Sequence, residues 1–285
     1  MKKIISVLIL STIFLTGCLK RDNLEDVTIY TTVYPIEYIT DRLYGANSNI
    51  YSIYPDGIIV SEYNLTNKQI QDYSKAGIFI YNGLSKEKDY VTKMFNQNNQ
   101  LKIIDTTLSM EYTYGVEELW LSPSNFLMLA QNIKNGFKEY ISNGYLKNEI
   151  EEKYEELKIE ISNIDAKIQL LADSSTNKTL VVGSNTLGFL NKYGFNVISL
   201  DNDELTEKMI VNVQNLIVDK NIEYIYLTQN DDINDEVQAL IDEYDVKIIY
   251  LYDLSNITEE QRDSNKNYIT IMNENIELLK SELYD

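Results

Sequence analysis

Apolar residues recur at Leu146, Ile150, Tyr154, Leu157, Ile161, Ile164, Ile168 and Leu171, at intervals of 4, 4, 3, 4, 3, 4 and 3, with Glu, Lys, Asn and Asp filling the positions between. That stripe predicts one long amphipathic helix over residues 146–173. Neither Gly nor Pro interrupts it, and at about 1.5 Å per residue it would run roughly 40 Å, enough to lie along two domains. A two-stranded coiled coil is the competing reading. About four heptads is marginal for one, and the acidic residues flanking the seam would repel in a homodimer.

On the N-terminal side of this helix, strand-sized apolar runs at 27–33, 49–54, 76–81 and 101–106 alternate with helical patterns at 35–43, 67–73 and 86–95. A further helix is predicted over 122–140, with Pro123 in its first turn. Beyond residue 173 the alternation restarts: strands at 178–184, 196–200, 223–228 and 246–251, helices between them, and a last helix over 267–283. Strand and helix in alternation mean parallel sheets. The expected fold class is therefore α/β, with two lobes, each a parallel sheet flanked by helices, joined by one long rigid backbone helix. The expected divisions are an N-terminal lobe at 27–145, the linking helix at 146–173 and a C-terminal lobe at 174–285.

Composition then narrows the function. Across 285 residues, 44% hydrophobic content is enough for a core in each lobe. A net charge of −19 argues against nucleic acid or an anionic membrane surface as a direct partner. The N-terminus reads Lys2, Lys3, an apolar run over 4–15, then Leu15-Thr16-Gly17-Cys18. This resembles a bacterial lipoprotein signal, with Cys18, the only cysteine, as the lipidation site. Residues 1–18 are then the signal and 19–26 a tether, because twelve apolar residues are too few to span a bilayer. The chain is expected on the extracytoplasmic face of the cell membrane, touching it through the lipid alone. With no histidine and no free thiol, there is no Ser-His or Cys-His pair to activate a nucleophile. No phosphate-cradling glycine motif occurs either, so an enzyme is not expected.

In open parallel sheets ligands bind beyond the carboxyl ends of the strands. The segments there are 54–66, with Ser61, Glu62 and Tyr63; 115–123, with Glu118 and Trp120; 183–188, with Ser184 and Asn185; and 228–232, with Thr228, Gln229 and Asp232. In this order around a central helix they resemble the solute-binding lipoproteins of the zinc and manganese (cluster A-I) ABC importers. The firmest match is Ser74-Lys75-Ala76-Gly77-Ile78-Phe79-Ile80-Tyr81-Asn82-Gly83-Leu84, the family's third-strand run, followed by Leu119-Trp120-Leu121-Ser122-Pro123. The resemblance implies a ligand held between the lobes and handed to an ABC permease and its ATPase. It also implies a monomer with no cofactor, manganese or zinc entering only as cargo. Family members also include proteins described as adhesins, so surface adhesion stays an alternative.

The departure from the family is as informative. Its members hold metal with three histidines, or two and a carboxylate, plus a carboxylate from the second lobe. Here those positions fall on Ser61, Glu118, Ser184 and Thr228, or on Asp232 if the manganese-type spacing applies. Such hydroxyls are poor zinc ligands. Two ligand classes follow. Glu62, Glu118 and Asp232 could offer hard oxygen ligands to a metal. Alternatively Ser61, Glu118, Ser184, Asn185, Thr228 and Gln229, with Tyr34, Tyr63 and Trp120, could form a hydrogen-bonding pocket for a small organic solute such as an amino acid. The residues favour the organic solute and the resemblance favours the metal.

Overall fold

The computed structural model describes residues 24–229, 231 and 233–283; Cys18 and the rest of the signal lie outside them. The N-terminal half runs β1 (Val27–Thr31), α1 (Tyr34–Tyr44), β2 (Ser48–Ser52), α2 (Asn67–Tyr73), β3 (Ile78–Tyr81), α3 (Glu87–Gln97) and β4 (Lys102–Asp105). A short α4 (Glu118–Leu121) and α5 (Pro123–Tyr140) lead into α6 (Gly144–Ser174). The C-terminal half runs β5 (Thr179–Val182), a 3-10 helix (Asn185–Tyr193), β6 (Asn196–Ser199), α7 (Glu207–Val218), β7 (Tyr224–Thr228), α8 (Asp235–Tyr244), β8 (Lys247–Leu251), α9 (Glu259–Asp263) and α10 (Tyr268–Leu283).

Both sheets are wholly parallel, ordered β2-β1-β3-β4 and β6-β5-β7-β8. The two halves thus share one strand order although the sequence shows no repeat. In each, the order reverses direction between the first and third strands, at β1/β3 and β5/β7. There the flanking connections diverge to opposite faces and leave a crevice.

The long helix forms as the apolar stripe predicts. Its buried residues are the eight of that stripe together with Ala172, and Asn143 caps its start by accepting the Tyr145 amide. It packs on α1, α5 and α10, so it touches elements of both halves. One contiguous core runs through the first sheet, α6, α10 and part of the second sheet, and a smaller cluster fills the space under α7 and α8. Ahead of the predicted helix at 122–140 the structure adds the short α4, which stops at Ser122 because the residue before a proline is pushed out of helical conformation.

The halves are bridged away from α6 as well. Arg262 of α9 donates to both carboxylate oxygens of Asp56 at 2.8 Å and to Glu37 at 2.9 and 3.3 Å. The Gly57 amide donates to the Ile257 carbonyl at 2.9 Å, and the Tyr34 amide to the Ser255 carbonyl at 3.1 Å. A bidentate guanidinium and backbone bonds of this kind oppose hinge opening.

Candidate functional site

The two sheet crevices face one another across a cavity of about 370 Å³. Segments beyond all eight strands reach it. Val33 follows β1, Ser61 follows β2, Asn82 and Lys86 follow β3, and Glu117 and Trp120 follow β4. From the other side come Ser184 and Asn185 after β5, Asp201 after β6, Thr228 and Asp231 at β7, and Asp253 and Ser255 after β8.

Of the residues singled out from sequence, Ser61, Trp120, Ser184, Asn185 and Thr228 line this cavity. Three of them donate from the side chain to neighbours within their own walls or across the cleft. The Ser184 hydroxyl donates to Thr186 at 2.9 Å, the Thr228 hydroxyl to Asp231 at 2.8 Å, and the Trp120 indole N–H to the Asp253 carbonyl at 2.7 Å.

Glu118 is a correction. Its carboxylate turns back to accept the amides of Thr113 at 2.8 Å and Tyr114 at 3.1 Å, and is not among the lining residues. Glu117 lines the cavity instead. Adjacent residues at a helix start point about 100° apart, so only one of the pair can face the cleft. Four others also lie elsewhere. Glu62 is exposed outside the cavity, and the Tyr63 hydroxyl accepts from Gln69 Nε2 at 2.8 Å. Tyr34 borders a separate surface hollow with Glu37 and Arg262. Gln229 lines a smaller neighbouring cavity of about 260 Å³, behind the turn at Asp253–Ser255. Asp232 lies outside the described residues.

The residues that sequence reasoning missed are acidic. Glu87, Glu117, Asp201, Asp231 and Asp253 line the cleft against a single cation, Lys86, among the described residues. Lys86 spends its ammonium on the carbonyls of Ser61 at 2.9 Å and Tyr63 at 2.6 Å. Burial raises the Glu117 carboxyl above the usual carboxylate range, and Asp253 and Asp231 across the cleft raise it further. Asp231 is drawn close by its bond from the Thr228 amide at 2.6 Å. Its carboxylate also lies over Gly183, where a Cβ would fall 2.9 Å from Oδ2. A signal was available in part: Asp231 and Asp253 each follow a predicted strand closely. Among the described residues no group of three or more His, Cys, Asp or Glu is placed to hold a metal ion.

Two parallel-sheet lobes on one long helix, with an acidic cleft at both crevices, define a rigid two-lobed solute-binding fold. Comparison with known proteins places it further. The family described as zinc-uptake complex component A, periplasmic (ZnuA), matches residues 29–282, and the chain belongs to that family. It is a family of solute-binding proteins of ABC transporters, not enzymes. Its metal is cargo, not cofactor.

The zinc-binding lipoprotein AdcA of Streptococcus pneumoniae is 24% identical over 313 aligned positions, covering 98% of this chain and 61% of that protein. The chain thus spans about three fifths of the length of that relative. A metal ABC transporter substrate-binding lipoprotein of Lactococcus lactis is 26% identical over 193 positions, covering 60% of this chain and 61% of its own length. The zinc-bound ZnuA-like domain of pneumococcal AdcA superposes with a TM-score of 0.74 at 22% identity, covering 91% of this chain and all of that one. The laminin-binding protein Lbp of Streptococcus pyogenes shares the fold with a TM-score of 0.71 at 15% identity, covering 90% of this chain and 99% of that one. None of these names carries an organic solute. The preference for one drawn from the residues therefore gains no support from the relatives.

Proposed function

We propose that the chain is the extracytoplasmic, lipid-anchored solute-binding component of an ABC importer, and that its cleft takes a small positively charged solute. The observation that carries the ligand charge is the excess of carboxylates over cations on the cleft walls, because a low-dielectric cleft lined by one sign concentrates ligands of the other. Family membership favours a divalent metal, bound through oxygen atoms of Glu117, Asp231 and Asp253 after a small inward adjustment. Oxygen donors of this kind suit manganese better than zinc.

A specific observation favours a second occupant, a small organic amine or amino acid. The described residues hold no ready metal cluster, and about 370 Å³ is the size of a small-molecule pocket. A thermal-shift screen against zinc, manganese, iron and the twenty amino acids separates the two. A ligand at about 100 times its dissociation constant adds roughly 2.7 kcal/mol of stability. A shift with a metal that chelator abolishes selects the metal. A shift with an amine alone selects the organic cation, and a shift with neither class overturns the cation reading. In either case Glu117→Gln should weaken binding about tenfold, because it removes a partly buried charge facing the cleft, worth about 1.4 kcal/mol to a cation, whereas Glu118→Gln should act only through the loop it clamps.

The anchor is tested apart from the ligand. Cys18→Ala should release the protein from the envelope into the medium, read by immunoblot of the membrane and soluble fractions. Retention at the wild-type level would refute the anchor.

A further inference from the structure

Glu87 opens α3, just beyond the turn after β3, and lines the cleft while keeping only 1% exposure. Its two oxygens meet hydroxyls rather than cations. The Tyr54 hydroxyl donates to Oε1 at 3.0 Å, and the Ser85 hydroxyl lies against Oε2. Lys86 is next to it in the chain, but that ammonium is committed to the carbonyls of Ser61 and Tyr63. Among the described residues Glu87 forms no salt bridge.

The hydrogens around it can be counted. Ser85 has one hydroxyl hydrogen and two acceptors in reach, Glu87 Oε2 and the Asn82 carbonyl at 2.9 Å. When Glu87 is charged, Ser85 serves one of them and leaves the other. When Glu87 carries a proton, Ser85 donates to Asn82 and accepts from the carboxyl, so both contacts are hydrogen bonds. The arrangement therefore suits the protonated acid, in keeping with burial that raises this carboxyl to about 7. The titratable groups around it are Tyr54, with Tyr90 near it and Tyr63 edge-on to its ring, and Lys86. Glu117, Asp201, Asp231 and Asp253 face the same cavity and oppose a further negative charge. A glutamine here would satisfy both hydroxyls and never ionise. What an amide cannot do is exchange a proton for a cation.

We propose that Glu87 is a proton-exchanging residue of the cleft: a cation that enters displaces the Glu87 proton to the solvent and is balanced by the carboxylate left behind. The inference rests on the reading that the cleft takes a cation. Only the carboxyl O–H bond breaks; its electron pair stays on the carboxylate and the proton goes to buffer. The exchange needs no backbone movement, because turning the Ser85 hydroxyl from Asn82 to Glu87 completes it, and the Asn82 carbonyl keeps the Ser85 amide at 3.3 Å. An opposite charge favours the ionised form of a carboxyl, so by linkage the cation binds more tightly where Glu87 has already lost its proton. Glu87 acts on the cation through its charge, whichever of the other carboxylates touch it.

Titration calorimetry with manganese(II), zinc(II) and L-lysine as separate probes, each in two buffers of different ionisation enthalpy, counts the protons released on binding. For a probe that binds, Glu87 should release about half a proton per ligand at pH 7, nearly one at pH 6 and about a tenth at pH 8, and affinity should rise about tenfold from pH 6 to pH 8. Glu87→Gln should remove that release, leaving only what Glu117, the other raised carboxyl of the cleft, gives up. Tyr54→Phe should move the release to higher pH, because the bond it deletes favours the charged form. If Glu87→Gln fails to fold, Tyr54→Phe carries the test. Equal release by wild type and a folded Glu87→Gln, or an unmoved profile in Tyr54→Phe, would overturn the exchange while leaving the cation reading in place. Binding of none of the three probes by the folded protein would overturn that reading and the exchange with it.

Discussion

Ile161→Ala should cost about 2–5 kcal/mol, the range for truncating a fully buried aliphatic side chain and leaving a cavity. Ile161 has 0% exposure at the middle of α6, on the stripe that meets both halves. The loss should therefore appear in calorimetry as one transition moved down by roughly 4–20 °C, with no lobe left at its original melting temperature. The same helix supplies the control. Ile159, two residues earlier, is 64% exposed, and Ile159→Ala should stay within about 0.5 kcal/mol of wild type. Equal effects at the two positions would show that α6 is not packed by this stripe. Two separated transitions in the Ile161 variant would show that it does not couple the halves.

The second large effect is a dependence on pH. Glu87 is 1% exposed in the cleft wall and accepts the Tyr54 hydroxyl at 3.0 Å, with Ser85 donating to its other oxygen. Burial pushes its carboxyl from about 4.5 up to about 7, outweighing the Tyr54 bond and the nearby Lys86, which both favour the charged form. The folded protein therefore keeps this proton over a range where the unfolded chain has lost it. The stability it contributes is complete below about pH 4.5 and is lost as pH rises through about 7, amounting to about 3 kcal/mol. Glu87→Gln keeps an acceptor for Tyr54 and cannot ionise. The variant should match wild type near pH 4.5 and exceed it increasingly up to pH 8. Parallel melting-temperature profiles for the two proteins would sink this account.

The comparison of Glu117 with Glu118 shows where local pattern stops. Both are acidic, both precede Trp120, and the family spacing points to the second. Their roles part only because α4 begins at Glu118, turning one carboxylate toward the cleft and the other toward the amides of Thr113 and Tyr114. Gln229 and Asp253 make the same point between elements. Gln229 directly follows β7 but falls behind the turn after β8, which carries Asp253 into the cleft. No property of either residue in the chain could have ranked them.

What the chain determines by itself is therefore whatever depends on neighbours three or four positions away. The stripe of α6 was legible because helix periodicity is local and each stripe residue must be buried wherever the helix lies. The strands were legible for a similar reason: runs such as Ile78–Tyr81, buried on both faces, are apolar throughout. The absence of histidine, and with it the loss of the family's usual metal ligands, is also plain from composition. Only the tertiary structure decided which carboxylates meet across the cleft and that Arg262 ties the lobes together. These depend on how the two sheets are set against each other along α6. That placement is fixed by the summed packing of one core through both halves, and no single segment of sequence records it.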